Sequence, residues 1–121
     1  MDAQILGAAA EDYAVHYLKR KGYQIRKRNY RYLKAEIDII AQIDDFLVIV
    51  EVKARTTSIF GKPEEFVTPK KIKLLVSAAD EYLQRENIQM EVRFDIVAVL
   101  RQHGKWEVSH LENAFYPFDG D

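Results

Sequence analysis

Residues 36–53 read EIDIIAQIDDFLVIVEVK, and the rest of the predicted fold is arranged around this stretch. Two apolar runs of strand length flank the polar pair Asp44-Asp45, a pattern that predicts a β-hairpin turning at that pair. The second run, residues 47–52, is aliphatic on both faces apart from Glu51, which is typical of a strand covered by other elements. The second strand of the hairpin is therefore expected to be central in a sheet.

The charged residues of the hairpin fall at its open end. Positions equidistant from the turn face each other, so Asp38 is expected opposite Glu51, and Glu36 opposite Lys53. Two carboxylates in that arrangement repel each other, whereas a divalent cation between them would turn the repulsion into coordination. Lys53 is two residues beyond Glu51 and shares its face of the strand. Ion pairs on a solvated hairpin are the alternative, but a carboxylate ending a covered apolar strand is costly unless it is paired or bound to metal.

Composition limits the function classes. The chain has 121 residues, 48% of them hydrophobic and 31% charged, as expected for a single globular domain over residues 1–121. The absence of cysteine excludes a disulfide framework, a thiol nucleophile and a cysteine zinc site, and the three histidines lack ligand spacing. No apolar run is long enough to span a bilayer and no secretory signal is visible, so a cytoplasmic protein without a membrane partner is expected.

Basic residues are concentrated in two places. The formal net charge is −1, yet residues 19–34 hold eight basic residues and no acidic one. A basic surface on a nearly neutral protein favours a polyanionic partner, although a solvated basic strand is an equal alternative. Three lysines also crowd the first turn of a predicted helix, where they oppose its dipole and a phosphate would relieve the conflict, unless they are simply solvated. The candidate nucleic-acid ligands are Arg26, Arg28, Arg31, Arg55, Lys70, Lys71 and Lys73.

The first part of the chain is predicted to form a helix and an edge strand. Apolar residues at helical spacing predict a helix over residues 4–21. Glu11 lies at the edge of that apolar stripe, either as a rim carboxylate or as a third acid reaching towards the hairpin. Residues 23–32 interleave basic and aromatic side chains and are expected to form an edge strand.

The part after the hairpin completes a mixed sheet. Residues 54–67 lack a clean period and are expected to be a loop. Thr68-Pro69 predicts the start of a second helix that continues to about Glu86. Strands are expected over residues 91–100 and 106–111, followed by a locally packed tail. The order αβββαββ predicts an α/β (α+β) domain, with one parallel crossover in a mixed central sheet flanked by helices.

On these residues the sequence resembles the YraN-like family of uncharacterised bacterial proteins across nearly the whole chain. That family looks like a branch of the PD-(D/E)xK nuclease superfamily, whose restriction-endonuclease-like fold is shared by archaeal Holliday junction resolvases. The matching stretches are residues 7–14, 22–23, 28–30, 36–38, 50–53, 55, 60–61, 67–71, 94–96 and 113–115.

The resemblance implies a catalytic signature of Asp38, Glu51 and Lys53, with Glu11 as the first-helix acid and Glu36 nearby. It also leaves open a homodimer, because branched-DNA resolvases of this fold act as dimers.

The leading hypothesis is metal-dependent hydrolysis of nucleic-acid phosphodiester bonds, with branched or damaged DNA among the candidate substrates. Asp38 and Glu51, with the backbone carbonyl of Val52, would hold Mg²⁺ or Mn²⁺, which would polarise the phosphoryl group and lower the pKa of a bound water. Lys53 is expected to stabilise developing negative charge rather than to act as a base, because nearby acids oppose loss of its proton. The alternatives are a catalytically inactive nucleic-acid-binding domain on the same scaffold and a protein-interaction domain whose hairpin charges form ion pairs.

Two alanines depart from the family pattern. Glycine is usual before the first-helix glutamate and before the strand glutamate, where this chain has Ala10 and Ala35. If the second of these positions needs a positive φ or a close backbone approach, Ala35 would be strained or would block it, which would restrict substrate access.

Overall fold

The computed structural model describes residues 2–56 and 67–117, and its elements follow the predicted order αβββαββ. The strands form one five-stranded sheet in the order β1-β2-β3-β4-β5, antiparallel except between β3 and β4. This is a mixed α+β domain with the restriction-endonuclease-like arrangement. The elements are α1 (Ala3–Arg20), β1 (Gln24–Tyr32), β2 (Ala35–Ile43), β3 (Phe46–Arg55), α2 (Pro69–Arg85), β4 (Glu91–Gln102) and β5 (Lys105–Phe115).

Helix α1 covers one face of the sheet. The Asp2 carboxylate caps its start by accepting a hydrogen bond of 2.9 Å from the backbone N–H of Ile5. Beyond its end, Gly22 takes a φ of 94°, a left-handed value that glycine adopts without strain. The buried side of α1 packs on residues of β2, β3 and β4 and consists of Ala10, Ala14, Val15 and Leu18.

Helix α2 covers the opposite face and is the crossover between the parallel strands β3 and β4. The predicted start is confirmed, since the Thr68 hydroxyl accepts a hydrogen bond of 3.1 Å from the Lys71 N–H and Pro69 begins the helix. Within the described residues, neither helix is long and apolar enough to cross a membrane. The buried side of α2 consists of Ile72, Leu75, Ala78, Ala79 and Tyr82.

The predicted register of the β2–β3 hairpin is confirmed. The pairs run from Ile43 opposite Phe46 to Ile39 opposite Val50, each equidistant from the Asp44-Asp45 turn. The backbone ladder ends there, so it does not reach the expected pairs of Asp38 with Glu51 and of Glu36 with Lys53. Beyond that point the two strands are joined instead by a side chain of β2.

Two predictions at the edges of the sheet have different outcomes. The edge position of β1 is confirmed. The expectation of a tail after Leu111 is wrong, because β5 continues to Phe115, which is buried with its ring centroid 5.2 Å from that of Phe94. A register shift in the β4–β5 pairing, with Asn113 at a φ of 51°, breaks the alternation that marks a strand in the sequence.

The start of the predicted loop is also corrected. Strand β3 extends through Arg55, so residues 54 and 55 belong to the sheet. The central part of the predicted loop, residues 57–66, lies outside the described residues.

The two alanines that replace family glycines are not strained. Ala10 is fully buried inside α1, and Ala35 begins β2 with 5% of its surface exposed. Neither residue has a positive φ. The positive φ that would strain Ala35 is therefore not adopted there.

Candidate active site

Asp38 lies at a break in the alternation of side chains along strand β2. Ile37 packs in the cluster beneath α2, whereas Ile39, two residues later, packs in the cluster beneath α1. Asn29 of β1 lies across from Asp38, but the two residues do not form a pair in the β1–β2 register, and Asn29 has a φ of 53°. This irregularity turns the Asp38 carboxylate towards β3, where it accepts a hydrogen bond of 2.8 Å from the Val52 N–H.

Glu51 meets Asp38 on the α2 face of the sheet. It is 4% exposed, and its alternation along β3 puts it on the same side as Ile49 beneath α2. The Asp38 and Glu51 carboxyl groups, the acidic pair, are within hydrogen-bonding reach of each other. The two acids therefore come together as expected, but through their side chains, because their backbones are not paired in the β2–β3 ladder.

Burial and the partner acid determine how the acidic pair holds protons. Burial raises the pKa of Asp38 to about 8, with the hydrogen bond to Glu51 and the negative charge of Glu51 acting in the same direction. Burial would also raise the pKa of Glu51, but the hydrogen bond from Asp38 and the Lys71 ammonium lower it overall. Of the two acids, Asp38 is therefore the one that keeps its proton to higher pH.

Two lysines face the acidic pair. Lys71, in the first turn of α2, places its Nζ 2.5 Å from Glu51 Oε2. Lys53 follows Glu51 on the same face and interacts electrostatically with Glu51, Asp38 and Lys71. Burial lowers the pKa of Lys53 in spite of the opposing charge of Glu51. The expectation that nearby acids keep the pKa of Lys53 high, which spoke against a role as a base, is therefore wrong.

The acidic pair opens into a cleft between the β1–β2 turn and the start of α2. Its volume is about 350 Å³. A cleft of this size with convergent charged groups is typical of a ligand site. The cleft is lined by Lys34, Ala35, Glu36, Asp38, Glu51, Thr68, Lys70, Lys71, Leu74 and Leu75.

The acidic pair fits a divalent cation by its donor chemistry. Glu51 Oε2 is buried and forms an ion pair of 2.5 Å with Lys71 Nζ, so this oxygen already attracts a positive charge. The residues described include no group of three or more acidic or histidine side chains that could hold a metal. Mg²⁺ commonly takes one or two carboxylates and completes its shell with water and phosphate oxygens, so two carboxylates beside the Val52 backbone are sufficient.

The two remaining candidate acids lie at the margin of the site. Glu11 accepts hydrogen bonds from Arg28 and from Asn29 Nδ2, the latter at 2.8 Å, and its charge raises the pKa of Asp38. Glu36 lines the cleft but forms an ion pair of 2.7 Å with Arg31 of β1. Glu11 therefore influences Asp38 through its charge, while Glu36 is held by a basic partner.

Three of the candidate nucleic-acid ligands form hydrogen bonds or ion pairs within the protein. Arg26 donates hydrogen bonds to the Tyr82 hydroxyl of α2 and to the Gln42 side chain of β2. Arg28 is paired with Glu11 and with Asp12, and Arg55 donates to the Ala54 carbonyl.

Other basic side chains remain at the surface near the cleft. Lys70 and Lys73 are exposed on α2, and Lys70 lines the cleft. Arg31 is 80% exposed despite its ion pair with Glu36. Lys34, which was not among the candidate ligands, is exposed and lines the cleft opposite Lys70.

A buried polar network on the α1 side was missed from the sequence. Asp95 is fully buried and accepts hydrogen bonds from Arg93, His110 and the Asn113 N–H. Arg93 also donates to the Tyr23 hydroxyl at 2.6 Å. The available signal is the pair of charged residues two apart in the otherwise apolar stretch 92–100, which indicates a buried polar contact.

Comparison with known sequences identifies the family. The sequence model described as "Uncharacterised protein family UPF0102" matches residues 10–99. The chain belongs to this family, and the YraN-like resemblance is confirmed. A UPF0102 protein of Flavobacterium psychrophilum is 49% identical over 93% of this chain and 95% of its own length. UPF0102 proteins of Bacteroides thetaiotaomicron and Syntrophomonas wolfei are 47% and 43% identical, over 93% and 91% of this chain and 93% and 96% of their own lengths.

Proposed function

We propose that this UPF0102 protein is a metal-dependent nuclease that hydrolyses phosphodiester bonds of DNA held in the cleft. The observation that carries the proposal is the acidic pair, which meets at the irregularity in β2, with the Lys71 ammonium on the buried Glu51 oxygen and Lys53 beside it. A half-buried and a buried carboxylate beside each other destabilise a fold, so their presence at a cleft favours a functional role.

Each side chain has a distinct chemical task in this proposal. Asp38 and Glu51 would hold Mg²⁺ or Mn²⁺, which when bound supplies a positive charge next to the phosphoryl group and a more acidic water. The Lys53 ammonium faces the same carboxylates and is placed to neutralise charge developing on the phosphate oxygens. The lowered pKa of Lys53 also allows it to accept a proton from an attacking water, and a pH–rate profile separates the two roles.

Basic residues on both sides of the cleft would hold the nucleic-acid backbone. Lys70 lies on the α2 side and Lys34 on the side of the β1–β2 turn. Lysines at these positions can neutralise phosphates without reading the base sequence, since phosphate contacts position a duplex and base contacts specify it. The proposal therefore predicts binding that weakens strongly with salt.

The test is a cleavage assay with purified protein and linear, single-stranded and branched DNA in Mg²⁺ or Mn²⁺. Asp38→Asn, Glu51→Gln and Lys53→Met are each expected to lower the cleavage rate by about 100-fold or more. Asp45→Asn and Lys105→Met are matched controls, because they make the same chemical changes at exposed positions away from the cleft.

The outcomes distinguish the proposal from its alternatives. Cleavage that survives all three site substitutions would reveal a contaminating nuclease and contradict the proposal. Salt-dependent DNA binding without cleavage or metal uptake would favour a non-catalytic binding domain. No DNA binding at physiological salt would favour a protein-interaction domain.

A further inference from the structure

The β1–β2 turn presents a large apolar side chain to solvent. Leu33 is 84% exposed, compared with 57% for Ile5 and 49% for Tyr116, the other exposed large apolar side chains among the residues described. Its φ is 55°, a left-handed value that glycine and asparagine adopt more readily than leucine. Leucine therefore lowers the stability of the fold here, through backbone strain and through exposed apolar surface. An 84% exposed side chain gains little from packing to offset these effects.

Leu33 stands beside basic residues at the wall of the cleft. Lys34, the next residue, is exposed and lines the cleft, and Arg31, two residues earlier, is 80% exposed. Lys70 is exposed on the opposite wall. A polyanion entering the cleft towards the acidic pair would pass between these basic walls with Leu33 at its side.

We infer that Leu33 is a wedge that inserts between neighbouring base pairs of a duplex bound in the cleft. Apolar side chains used in this way partly unstack a base step and kink the duplex, while basic neighbours hold the adjacent phosphates. An aliphatic side chain suits this role, whereas platforms for single strands are built from aromatic rings on which bases stack. The inference rests on the proposed nuclease function and adds a substrate class, namely duplex DNA that kinks readily at a nick, mismatch or branch.

The chain limits how far from the acidic pair the wedge acts. Leu33 precedes Asp38 by five residues in the sequence, which span at most about 17 Å of extended strand. That distance corresponds to about five nucleotides along one strand of a duplex. The distorted base step is therefore expected within about five nucleotides of the phosphate that is cleaved.

The experiment uses intact and nicked duplexes with a single 2-aminopurine placed at successive positions, in Ca²⁺ so that binding is observed without cleavage. Unstacking raises the fluorescence of 2-aminopurine. Leu33→Asn removes the apolar side chain at a φ that asparagine tolerates, so the turn is retained. His103→Asn is the matched control, because His103 is exposed in the β4–β5 turn at a φ of 53°.

The wild-type protein and His103→Asn are expected to raise the fluorescence at positions close to the cleavage site. Leu33→Asn is expected to bind DNA but to lose this rise, while its thermal midpoint stays equal to or above that of the wild type. An undiminished rise with Leu33→Asn, or wild-type binding without any rise, would overturn the wedge while leaving the nuclease proposal intact. A Leu33-dependent dimer in sedimentation without DNA would overturn it by assigning the side chain to a second copy. Failure of the wild type to bind DNA at all would contradict the proposed function itself.

Discussion

Lys71 Nζ lies 2.5 Å from Glu51 Oε2, so the first turn of α2 places a cation at the acidic pair. The ammonium balances the buried Glu51 charge and occupies the side from which a metal ion would approach that oxygen. The N-terminal end of α2 does not favour a lysine by itself, because cations oppose the helix dipole there. The ion pair with Glu51 therefore stabilises Lys71 at a position that the helix dipole disfavours.

Removing the Lys71 ammonium should strengthen metal binding. Lys71→Met is expected to bind Mn²⁺ about tenfold more tightly than wild type, because a competing charge on the Glu51 carboxylate is gone. Isothermal titration calorimetry measures the change. Lys70→Met is the matched control, since Lys70 is exposed and lines the same cleft. Equal or weaker binding by Lys71→Met would show that the two cations do not compete.

The acidic pair should make the metal-free protein less stable as pH rises. The pKa of Asp38 is raised from 3.8 to about 8, so the folded state binds more protons than the unfolded state between these values. Its contribution to stability is fully present below about pH 4 and is lost as pH rises through about 8. Asp38→Asn should flatten this dependence and stabilise the protein by several kcal/mol at pH 8 and above.

Urea unfolding in EDTA at a series of pH values measures this effect. Asp44→Asn is the control, because Asp44 is exposed in the β2–β3 turn. A wild-type profile that rises from acidic to alkaline pH, with no gain from Asp38→Asn, would be inconsistent with a buried, protonated Asp38.

The Asp95 network should be essential for stability rather than for cleavage. Burial would raise the pKa of Asp95, but hydrogen bonds from His110 and Arg93 lower it overall. Its stabilising contribution is therefore present above its unfolded pKa and lost as pH falls through its folded value. Asp95→Asn leaves the Arg93 charge with the exposed Glu112 as its remaining acidic partner among the described residues and should cost about 3–5 kcal/mol. Glu112→Gln should cost less than about 1 kcal/mol, because Glu112 is 56% exposed and lies 3.5 Å from Arg93.

Chemical denaturation of both variants, beside the wild type, measures this difference. If Asp95→Asn unfolds at the same urea concentration as Glu112→Gln, the network does not carry the stability assigned to it.

Salt dependence should separate the basic residues that hold phosphates from those that hold acids. Lys70→Ala and Lys73→Ala are each expected to reduce the slope of log K against log salt by about 0.9. Arg28→Ala is expected to leave the slope unchanged, because its guanidinium is already paired with Glu11 and Asp12. Fluorescence anisotropy over a salt series measures the slopes, and a larger change for Arg28→Ala than for Lys70→Ala would contradict this assignment.

The sequence predicts the fold well because its signals are local. The hairpin register follows from two apolar runs around a polar turn, and the start of α2 follows from the Thr68-Pro69 pair. The extension of β5 to Phe115 was not predictable by alternation, because a bulge at Asn113 interrupts the period.

The candidate site is predictable only in part. Asp38 and Glu51 were expected to meet, but through a backbone pair, whereas an irregularity in β2 turns Asp38 onto the Val52 N–H. The ion pair of Lys71 with Glu51 depends on how α2 packs over the sheet, which no local pattern encodes. Long-range geometry of this kind follows from the complete fold and not from one segment.

Anomalous diffraction from a crystal of the protein soaked in Mn²⁺ tests most directly whether the acidic pair binds a metal ion. We expect a strong peak between the Asp38 and Glu51 carboxylates, with the Lys71 ammonium moved away from Glu51 Oε2. An ordered site without a peak, in which Lys71 keeps its ion pair with Glu51, would contradict this expectation.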